Sequence, residues 1–240
     1  VFLLLLPLSD LIKNIVDFCV VHTVPPRLVP RMALREGIPS EGRTLCVITG
    51  LLTGEESGSA YASLLERYRL ANRDSGEELR FGLLADLPDR ATPMGMEQRQ
   101  WVDKARQAIA ALNKTYGGGF FLFFREPVFQ PRDEHYGGWE RKRGALLELE
   151  GTQYVITLDS DTALNVGAAR ELVGAMLHPL NRARIDARRN VVTQGYGLLQ
   201  PRIGVELGAA NRSQFSRIFA GQGGIDPYGG ACSDVYHDLF

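Results

Sequence analysis

Hydrophobic positions along the chain follow two alternating patterns. Short apolar runs rich in β-branched and aromatic residues, typical of buried strands, alternate with stretches in which apolar residues recur every three or four positions, as in amphipathic helices. The predicted strands cover residues 44–49, 80–85, 120–124, 154–158 and 191–200. The predicted helices cover residues 55–72, 97–116, 139–149, 165–177, 211–220 and 233–240. This order predicts an α/β fold with a mostly parallel central sheet flanked by helices.

Three connecting segments lack both patterns. Residues 127–138 are predicted to form a loop, residues 182–190 are basic and irregular, and residues 221–230 are rich in glycine. We expect these segments to join the regular elements without belonging to the sheet.

An apolar segment precedes the predicted sheet. Residues 2–8 are apolar except for Pro7, and charged residues at Asp10, Lys13 and Asp17 then interrupt the run. A complete membrane-spanning helix is therefore not expected. The segment fits either the end of a membrane helix that continues along the interface or an ordinary buried helix of the domain.

A proline-rich connector follows this segment, with nearby arginines that are typical of the cytoplasmic side of a membrane. We expect residues 1–40 to form an N-terminal helix and connector, and residues 41–240 to form the α/β domain. Because the chain begins with Val1 and ends within a predicted helix, we expect it to be a piece of a longer protein whose domain is cut short at the C-terminal side.

Composition excludes some classes of function. The chain has 240 residues and a net charge of −1, so it has no basic surface of the kind that binds nucleic acid. Its three cysteines, Cys19, Cys46 and Cys232, are far apart in the sequence and lack the spacing of metal ligands. This cysteine pattern favours a reducing compartment over a disulfide-stabilised fold.

Two carboxylates, Asp159 and Asp161, follow the predicted strand 154–158. Ligands of open α/β sheets bind at the carboxyl ends of the strands. Two neighbouring like charges are costly to hold together, and a divalent cation relieves that cost. Mg²⁺ or Mn²⁺ is commonly held by one or two carboxylates and completed by phosphate oxygens. The pair predicts a metal site, and the alternative is a solvated acidic turn.

Polar groups also follow other predicted strands. Thr49 ends the first strand, and Asp86 follows the second, where its carboxylate could accept a hydrogen bond from a nucleobase imide or a ribose hydroxyl. A helix cap or turn beside Pro88 is an equally good interpretation of Asp86. The basic cluster 141–143 opens the helix before strand 154–158 and fits either a diphosphate or a solvated surface.

Common cofactor and hydrolase motifs are absent, including the Walker loop, His-Glu-x-x-His, Gly-x-Ser-x-Gly and Gly-x-Gly-x-x-Gly. Asp159, Asp161 and Thr162 partly match the Asp-x-Asp-x-Thr signature of haloacid dehalogenase-like phosphatases, in which the first aspartate is the nucleophile. The fifth position is Ala163 and the threonine comes one residue early. A magnesium-dependent phosphatase is therefore an alternative that the sequence disfavours.

Several ordered blocks together resemble a family. Asp86 after the second strand, the helix start Lys142-Arg-Gly-Ala-Leu146, Asp-x-Asp at 159–161 and Ser-Asp-Val-Tyr at 233–236 resemble inverting GT-A-fold sugar-nucleotide glycosyltransferases, the class that includes cellulose synthase. The chain is more similar still to the glycosyltransferase domain of bacterial cyclic β-1,2-glucan synthases. The blocks that carry this resemblance are residues 39–44, 139–144, 154–162, 195–202, 224–228 and 233–236.

The resemblance implies roles for individual residues. Asp159 and Asp161 would hold Mg²⁺ or Mn²⁺ on the diphosphate of UDP-glucose, Asp86 would contact the uracil, and Lys142 the phosphates. Asp234 would be the catalytic base that deprotonates the acceptor hydroxyl, with Asp238 as its rival, since Cys232 and Ser233 depart from the expected Thr-Glu before it. The further substrate-binding residues implied are Thr49, Gln200 and Arg202.

The resemblance also implies an activity and a location. The chain would transfer glucose from UDP-glucose with inversion to a growing β-1,2-glucan, as part of a larger synthase in the bacterial inner membrane with this domain on the cytoplasmic face. The partners implied are the donor, the glucan acceptor and the rest of that synthase, with no nucleic acid. A non-catalytic module that binds nucleotides or glycans is a further alternative.

Overall fold

A computed structural model of the chain describes residues 2–25, 28–138, 152–201 and 214. The chain divides into two compact units, one formed by Arg31–His178 and the other by Val1–Pro30 together with Pro179–Phe240. The predicted helices 139–149, 211–220 and 233–240 and the glycine-rich segment 221–230 lie outside the described residues, apart from position 214.

The described helices and strands follow the predicted alternation. In chain order they are α1 (Phe2–Thr23), β1 (Thr44–Leu51), α2 (Ser57–Ala71), β2 (Leu79–Asp86), α3 (Met96–Tyr116), β3 (Phe120–Phe124), β4 (Val128–Gln130), β5 (His135–Gly137), β6 (Tyr154–Leu158), α4 (Ala168–Leu177), β7 (Arg184–Asp186) and β8 (Val191–Gln194).

The centre of Arg31–His178 is a four-stranded sheet with the order β3-β2-β1-β6, in which every neighbouring pair is parallel. Helices flank this sheet, so the predicted mixed α/β, Rossmann-like fold class is confirmed. The four predicted strands that form it appear within two residues of their expected bounds. Their mostly apolar sequences suit a parallel sheet, whose strands are buried by crossover helices.

The main core lies between the sheet and helices α2, α3 and α4. The strand residues that face the helices include Cys46 and Ile48, which are completely buried. Alternate strand residues face the other side, where Leu45, Val47 and Leu84 form a smaller apolar cluster. This alternation follows from the period of two along a strand.

The strand order contains a switch point between β1 and β6. The chain moves outward from β1 through β2 to β3, and then returns to add β6 on the other side of β1. At such a switch the connections leave the strand ends in opposite directions, which opens a crevice at the carboxyl edge of the sheet. The carboxyl ends of β1 and β6 therefore border the expected ligand crevice.

The prediction that residues 127–138 form only a loop is wrong. They contain an antiparallel hairpin in which β4 and β5 pair Phe129 with Tyr136, whose rings lie 5.2 Å apart. A turn with Glu134 at a φ of 52° joins the two strands. The hairpin is attached to the segment after β2 through two backbone hydrogen bonds between Arg90 and Tyr136, at 3.0 and 2.7 Å.

In the second unit the expected long strand 191–200 is shorter and lies outside the central sheet. Residues 182–190, predicted to be irregular, contain β7, and β8 pairs with it in an antiparallel two-stranded sheet. Asp186 stabilises the connecting turn, because its Oδ1 accepts hydrogen bonds from the amides of Arg188 and Arg189. None of the described helices, α1 included, combines the length and the apolar character that a membrane crossing requires.

Candidate functional site

The predicted polar strand ends meet at the carboxyl edge of the parallel sheet. Asp86 is the last residue of β2 and is in register with Leu51 of β1. Ile48 of β1 is in register with Leu158, the last residue of β6, so Thr49 and Asp159 follow this pair at the same level. Asp86 and Asp159 therefore lie at one edge of the sheet, as expected. Thr49 does not end its strand as predicted, because β1 continues two residues further to Leu51.

Thr49 and Asp86 also share one face of the sheet. Thr49 pairs with Leu84, whose side chain belongs to the apolar cluster on the face opposite the helices. Asp86 lies two residues further along β2, and so its side chain emerges on that same face. Leu158 packs into the core on the helical side. Asp159, the next residue, therefore begins where the chain turns away from that core.

Asp86 is nearly buried and forms an ion pair with Arg125, the residue after β3. The Nε and Nη2 atoms of Arg125 donate hydrogen bonds of 3.0 and 2.7 Å to Oδ1 and Oδ2 of Asp86. The side chains are only 11% exposed for Arg125 and 13% for Asp86. Gly138 lies directly against this pair, since a Cβ there would be 2.7 Å from Arg125 Nη2. The Asp86 carboxylate is therefore held by an ion pair, and not by the helix cap that the sequence also suggested.

Asp159 and Asp161 lie in a turn directly after β6, and both residues are exposed. The amide of Thr162 donates a 3.1 Å hydrogen bond to the carbonyl of Asp159, which closes the turn. From the helical side, Tyr68, a buried residue, donates from its hydroxyl to the carbonyl of Thr162. Burial is the main cause that raises the pKa of Tyr68 to about 12, and Cys46 and Asp161 contribute to the rise. The Tyr68 hydroxyl therefore remains a hydrogen-bond donor at neutral pH.

The chemistry of this turn fits Mg²⁺ or Mn²⁺. Two exposed carboxylates, Asp159 and Asp161, offer the hard oxygen ligands that these cations require. Within the part of the chain that the structure describes, no group of three or more His, Cys, Asp and Glu side chains converges on one point. A two-carboxylate turn suits a cation whose remaining ligands come from water and substrate phosphate.

None of the remaining predicted site residues is a described residue of the unit that contains this sheet. Gln200 is exposed after β8 and belongs to the second compact unit. Lys142, Arg202 and Asp234, together with the rival base Asp238, lie outside the described residues. The structure therefore brings Thr49, Asp86 and the turn with Asp159 and Asp161 to one edge of the sheet, and the roles of all the predicted site residues stay predictions.

Two residues at the site were missed in the sequence. Arg125 follows the apolar strand 120–124, and the rule that directed attention to Thr49 and Asp86, a polar group at a strand end, would also have found it. Tyr68 lies in the predicted helix 55–72, whose periodicity indicates only an apolar face. Its hydroxyl contacts a residue 94 positions away, and no local pattern carries that information.

Comparison with known proteins adds a relationship in sequence. No protein-family model matches the chain. The chain is similar to cyclic beta-(1,2)-glucan synthase NdvB of Rhizobium meliloti (strain 1021), with 37% identity. The similarity covers 90% of this chain but only 8% of that protein. This chain is therefore a relative of one segment of a much larger cyclic beta-(1,2)-glucan synthase.

Proposed function

We propose that this chain is the donor-binding part of a glycosyltransferase that builds a glucan, with a GT-A domain over residues 41–240. The observation that carries the proposal is the meeting of Thr49, Asp86 and the Asp159–Asp161 turn at one edge of a parallel sheet, beside its switch point. That edge is where α/β sheets bind nucleotides. The relationship to a cyclic beta-(1,2)-glucan synthase supports a glucan as the product.

The nucleotide end of the donor would lie against Asp86. Arg125 occupies one side of the carboxylate with two hydrogen bonds. A carboxylate has about four lone-pair directions, so acceptor capacity remains for a ligand. Uracil presents a single N3–H donor, which matches an acceptor-only group, and UDP-glucose is therefore the donor that we propose. Thr49, half-buried on the neighbouring strand, would line the same crevice.

The diphosphate would lie near the acidic turn. Asp159 and Asp161 would hold Mg²⁺ or Mn²⁺, and the bound cation would act as a Lewis acid that neutralises charge on the departing UDP. Lys142, Gln200 and Arg202 are proposed as further contacts to the substrate. Two carboxylates without a cation would repel a diphosphate, so the proposal predicts that donor binding depends on the metal.

The transfer itself would invert the anomeric carbon. The oxygen of an acceptor hydroxyl forms a bond to the anomeric carbon of glucose while the bond from that carbon to the UDP oxygen breaks. The hydroxyl proton passes to a carboxylate base, for which we propose Asp234, with Asp238 as the rival. The products are a β-1,2-linked glucan longer by one glucose, UDP and the protonated base, which releases its proton to water.

This transfer activity would belong to a larger protein. The relative is far longer than this chain, which spans 8% of its length. We propose that the chain works within a membrane-bound synthase of the bacterial inner membrane, with the domain on the cytoplasmic face, where UDP-glucose would be available. Residues 1–40 would then form the helix and connector that precede the domain.

The decisive experiment measures incorporation of labelled glucose from UDP-glucose into glucan by the intact protein. Asp161→Ala is expected to reduce incorporation at least ~100-fold, because the charge of the leaving diphosphate would no longer be neutralised. Asp103→Ala is the matched control, since Asp103 is also an exposed carboxylate and forms an ion pair with Arg106 within its own helix, α3. Equal loss in both variants, or none in either, would remove the proposed role of the turn.

A second measurement separates transfer from phosphate hydrolysis. A phosphatase that used Asp159 as its nucleophile would form a fluoroberyllate adduct on that residue and release phosphate from a phosphomonoester. We expect neither result, because a direct inverting transfer forms no covalent intermediate on the protein. UDP binding that needs no metal and leads to no turnover would instead indicate a non-catalytic module.

A further inference from the structure

Helix α2 contacts both ends of the segment that joins the acidic turn to α4. Near the start of this segment, the Tyr68 hydroxyl donates to the carbonyl of Thr162. At its end, the amide of Gly167 donates a 3.1 Å hydrogen bond to the carbonyl of Ala71. Between these contacts Leu164 is buried in the main core, at 8% exposure. A segment fixed at three points has little freedom to change the position of the turn that precedes it.

Asn72, one helical turn beyond Tyr68, connects the two anchors. Its Oδ1 accepts a 3.1 Å hydrogen bond from the amide of Ala169 in the first turn of α4, where backbone N–H groups lack partners within the helix. Its Nδ2 donates a 3.1 Å hydrogen bond to the carbonyl of Tyr68. Asn72 is itself buried. The same polar side chain thus fixes the backbone of Tyr68 and the start of α4.

The contact of Tyr68 is specific to the acidic turn. Thr162 closes the turn through its amide, which bonds to the carbonyl of Asp159, and presents its own carbonyl to Tyr68. The two carboxylates therefore belong to a turn whose last residue, Thr162, is hydrogen-bonded through both its N–H and its C=O. Tyr68 is 2% exposed and reaches the turn from inside the core, so it does not touch anything bound on the exposed side.

We propose that Tyr68 is a positioning residue for the proposed metal turn. Its hydroxyl holds the Thr162 carbonyl at the end of the turn, so that Asp159 and Asp161 are already oriented for a cation. The binding of a cation in this inference rests on the proposed function. The restraint of the turn by the Tyr68 hydroxyl does not depend on it. Fixing ligands before binding lowers the conformational entropy that binding must otherwise overcome. Loss of the hydroxyl should therefore weaken the binding of the metal while the ligands themselves remain.

The test uses Tyr68→Phe in the intact protein, with Tyr116→Phe as the matched control. Tyr116 also donates from a partly buried hydroxyl, over 2.6 Å to Glu66, but it lies at the end of α3, next to the amino end of β3. Two readouts are measured: hydrogen exchange of the peptide that covers residues 159–162 without metal, and the affinity for Mn²⁺ in the presence of UDP by electron paramagnetic resonance. Asp161→Ala serves as the reference for lost metal binding.

For Tyr68→Phe we expect about fivefold faster exchange of the turn and about fivefold weaker Mn²⁺ binding, the effect of one lost hydrogen bond, and no change in Tyr116→Phe. Unchanged exchange in Tyr68→Phe would overturn the positioning role. If Asp161→Ala loses Mn²⁺ binding while Tyr68→Phe keeps it, this inference fails and the proposed function stands. If Asp161→Ala binds Mn²⁺ normally, the proposed metal turn fails, and with it the role of Tyr68 in binding the cation.

Discussion

Arg125 donates hydrogen bonds from Nε and Nη2 to the two carboxylate oxygens of Asp86, and both side chains are nearly buried. Asp86 ends β2, and Arg125 follows the neighbouring strand β3. The two strands are in register from Phe81 with Phe120 to Ala85 with Phe124. The register itself therefore brings the guanidinium beside the carboxylate. A paired geometry of this kind fixes the orientation of a carboxylate far better than a single hydrogen bond.

The first prediction concerns the strength of this pair. Arg125→Ala should destabilise the domain by about 3 kcal/mol, because it leaves a nearly buried carboxylate without its main partner. Asp86→Ala should cost a similar amount, while the double variant should cost less than the sum of the two. Urea unfolding of the four proteins gives the coupling free energy, which we expect to be about 1–3 kcal/mol. Strict additivity would mean that the pair contributes nothing beyond its separate side chains.

The second prediction tests what Asp86 recognises. If its carboxylate accepts a hydrogen bond from the uracil N3–H, UDP methylated at N3 should bind at least about tenfold more weakly than UDP, because the donor is lost and an acceptor is left unpaired. Calorimetric titration of the intact protein in the presence of Mn²⁺ measures both affinities.

The control for that experiment is the Asp86→Ala variant, which should bind the two nucleotides with equal affinity. A tenfold preference for UDP that persists in Asp86→Ala would show that another group reads the N3 position. Equal binding of both nucleotides by the unmodified protein would remove the proposed contact altogether.

The third prediction concerns Gly138, which lies against the Asp86–Arg125 pair. A Cβ at this position would be 2.7 Å from Arg125 Nη2 and 3.1 Å from Asp86 Oδ1, closer than atoms of these kinds normally approach. Gly138→Ala should therefore displace the guanidinium, weaken UDP binding several-fold and destabilise the fold by about 1–3 kcal/mol. Binding titrations and urea unfolding measure the two effects.

Gly54→Ala is the matched control for this substitution, because a Cβ at Gly54 would have no atom within 4 Å. It should leave nucleotide binding unchanged. If Gly138→Ala behaves like Gly54→Ala, the space beside the ion pair is larger or more adaptable than its geometry indicates.

The strands and helices of the main sheet could be predicted from the sequence because their periodicity is strong and local. Residues 120–124 form β3 with the bounds expected, and α3 begins one residue before its predicted start. The hairpin of β4 and β5 could not be predicted in the same way. Each strand has only three residues, and its pairing is supported by contacts with the segment after β2, which local patterns do not report.

Part of the candidate site was predictable for a similar reason. Thr49, Asp86 and Asp159 were found because strand ends of a parallel sheet must share an edge. Their partners were not found, because Arg125 is 39 residues from Asp86 and Tyr68 is 94 residues from Thr162. Periodicity identifies which face of an element is apolar, but it does not specify which distant polar group a side chain meets.

The last prediction concerns the two described cysteines. Burial raises the pKa of the Cys46 thiol from its ordinary value of 9.0 to about 12, whereas Cys19 on α1 is exposed. Only the thiolate reacts with iodoacetamide. At pH 8 in the native protein, Cys46 should therefore be modified at least about a thousandfold more slowly than Cys19, as mass spectrometry of the two peptides can measure. Comparable rates would show that β1 opens readily to solvent.

The same pKa shift has a consequence for stability, with a definite sign. The folded pKa lies above the unfolded one, so the unfolded thiol loses its proton first as the pH rises. The contribution of Cys46 to the free energy of unfolding should be constant below pH 9.0. It should fall between pH 9 and about 12, because ionisation of the thiol favours the unfolded chain. Cys46→Ala should be less stable at neutral pH, owing to the cavity left by the sulfur, yet lose less stability over that alkaline interval. Urea unfolding at pH 7, 9 and 10.5 measures the stability of both proteins. An equal loss of stability in both proteins over this range would contradict this role of Cys46.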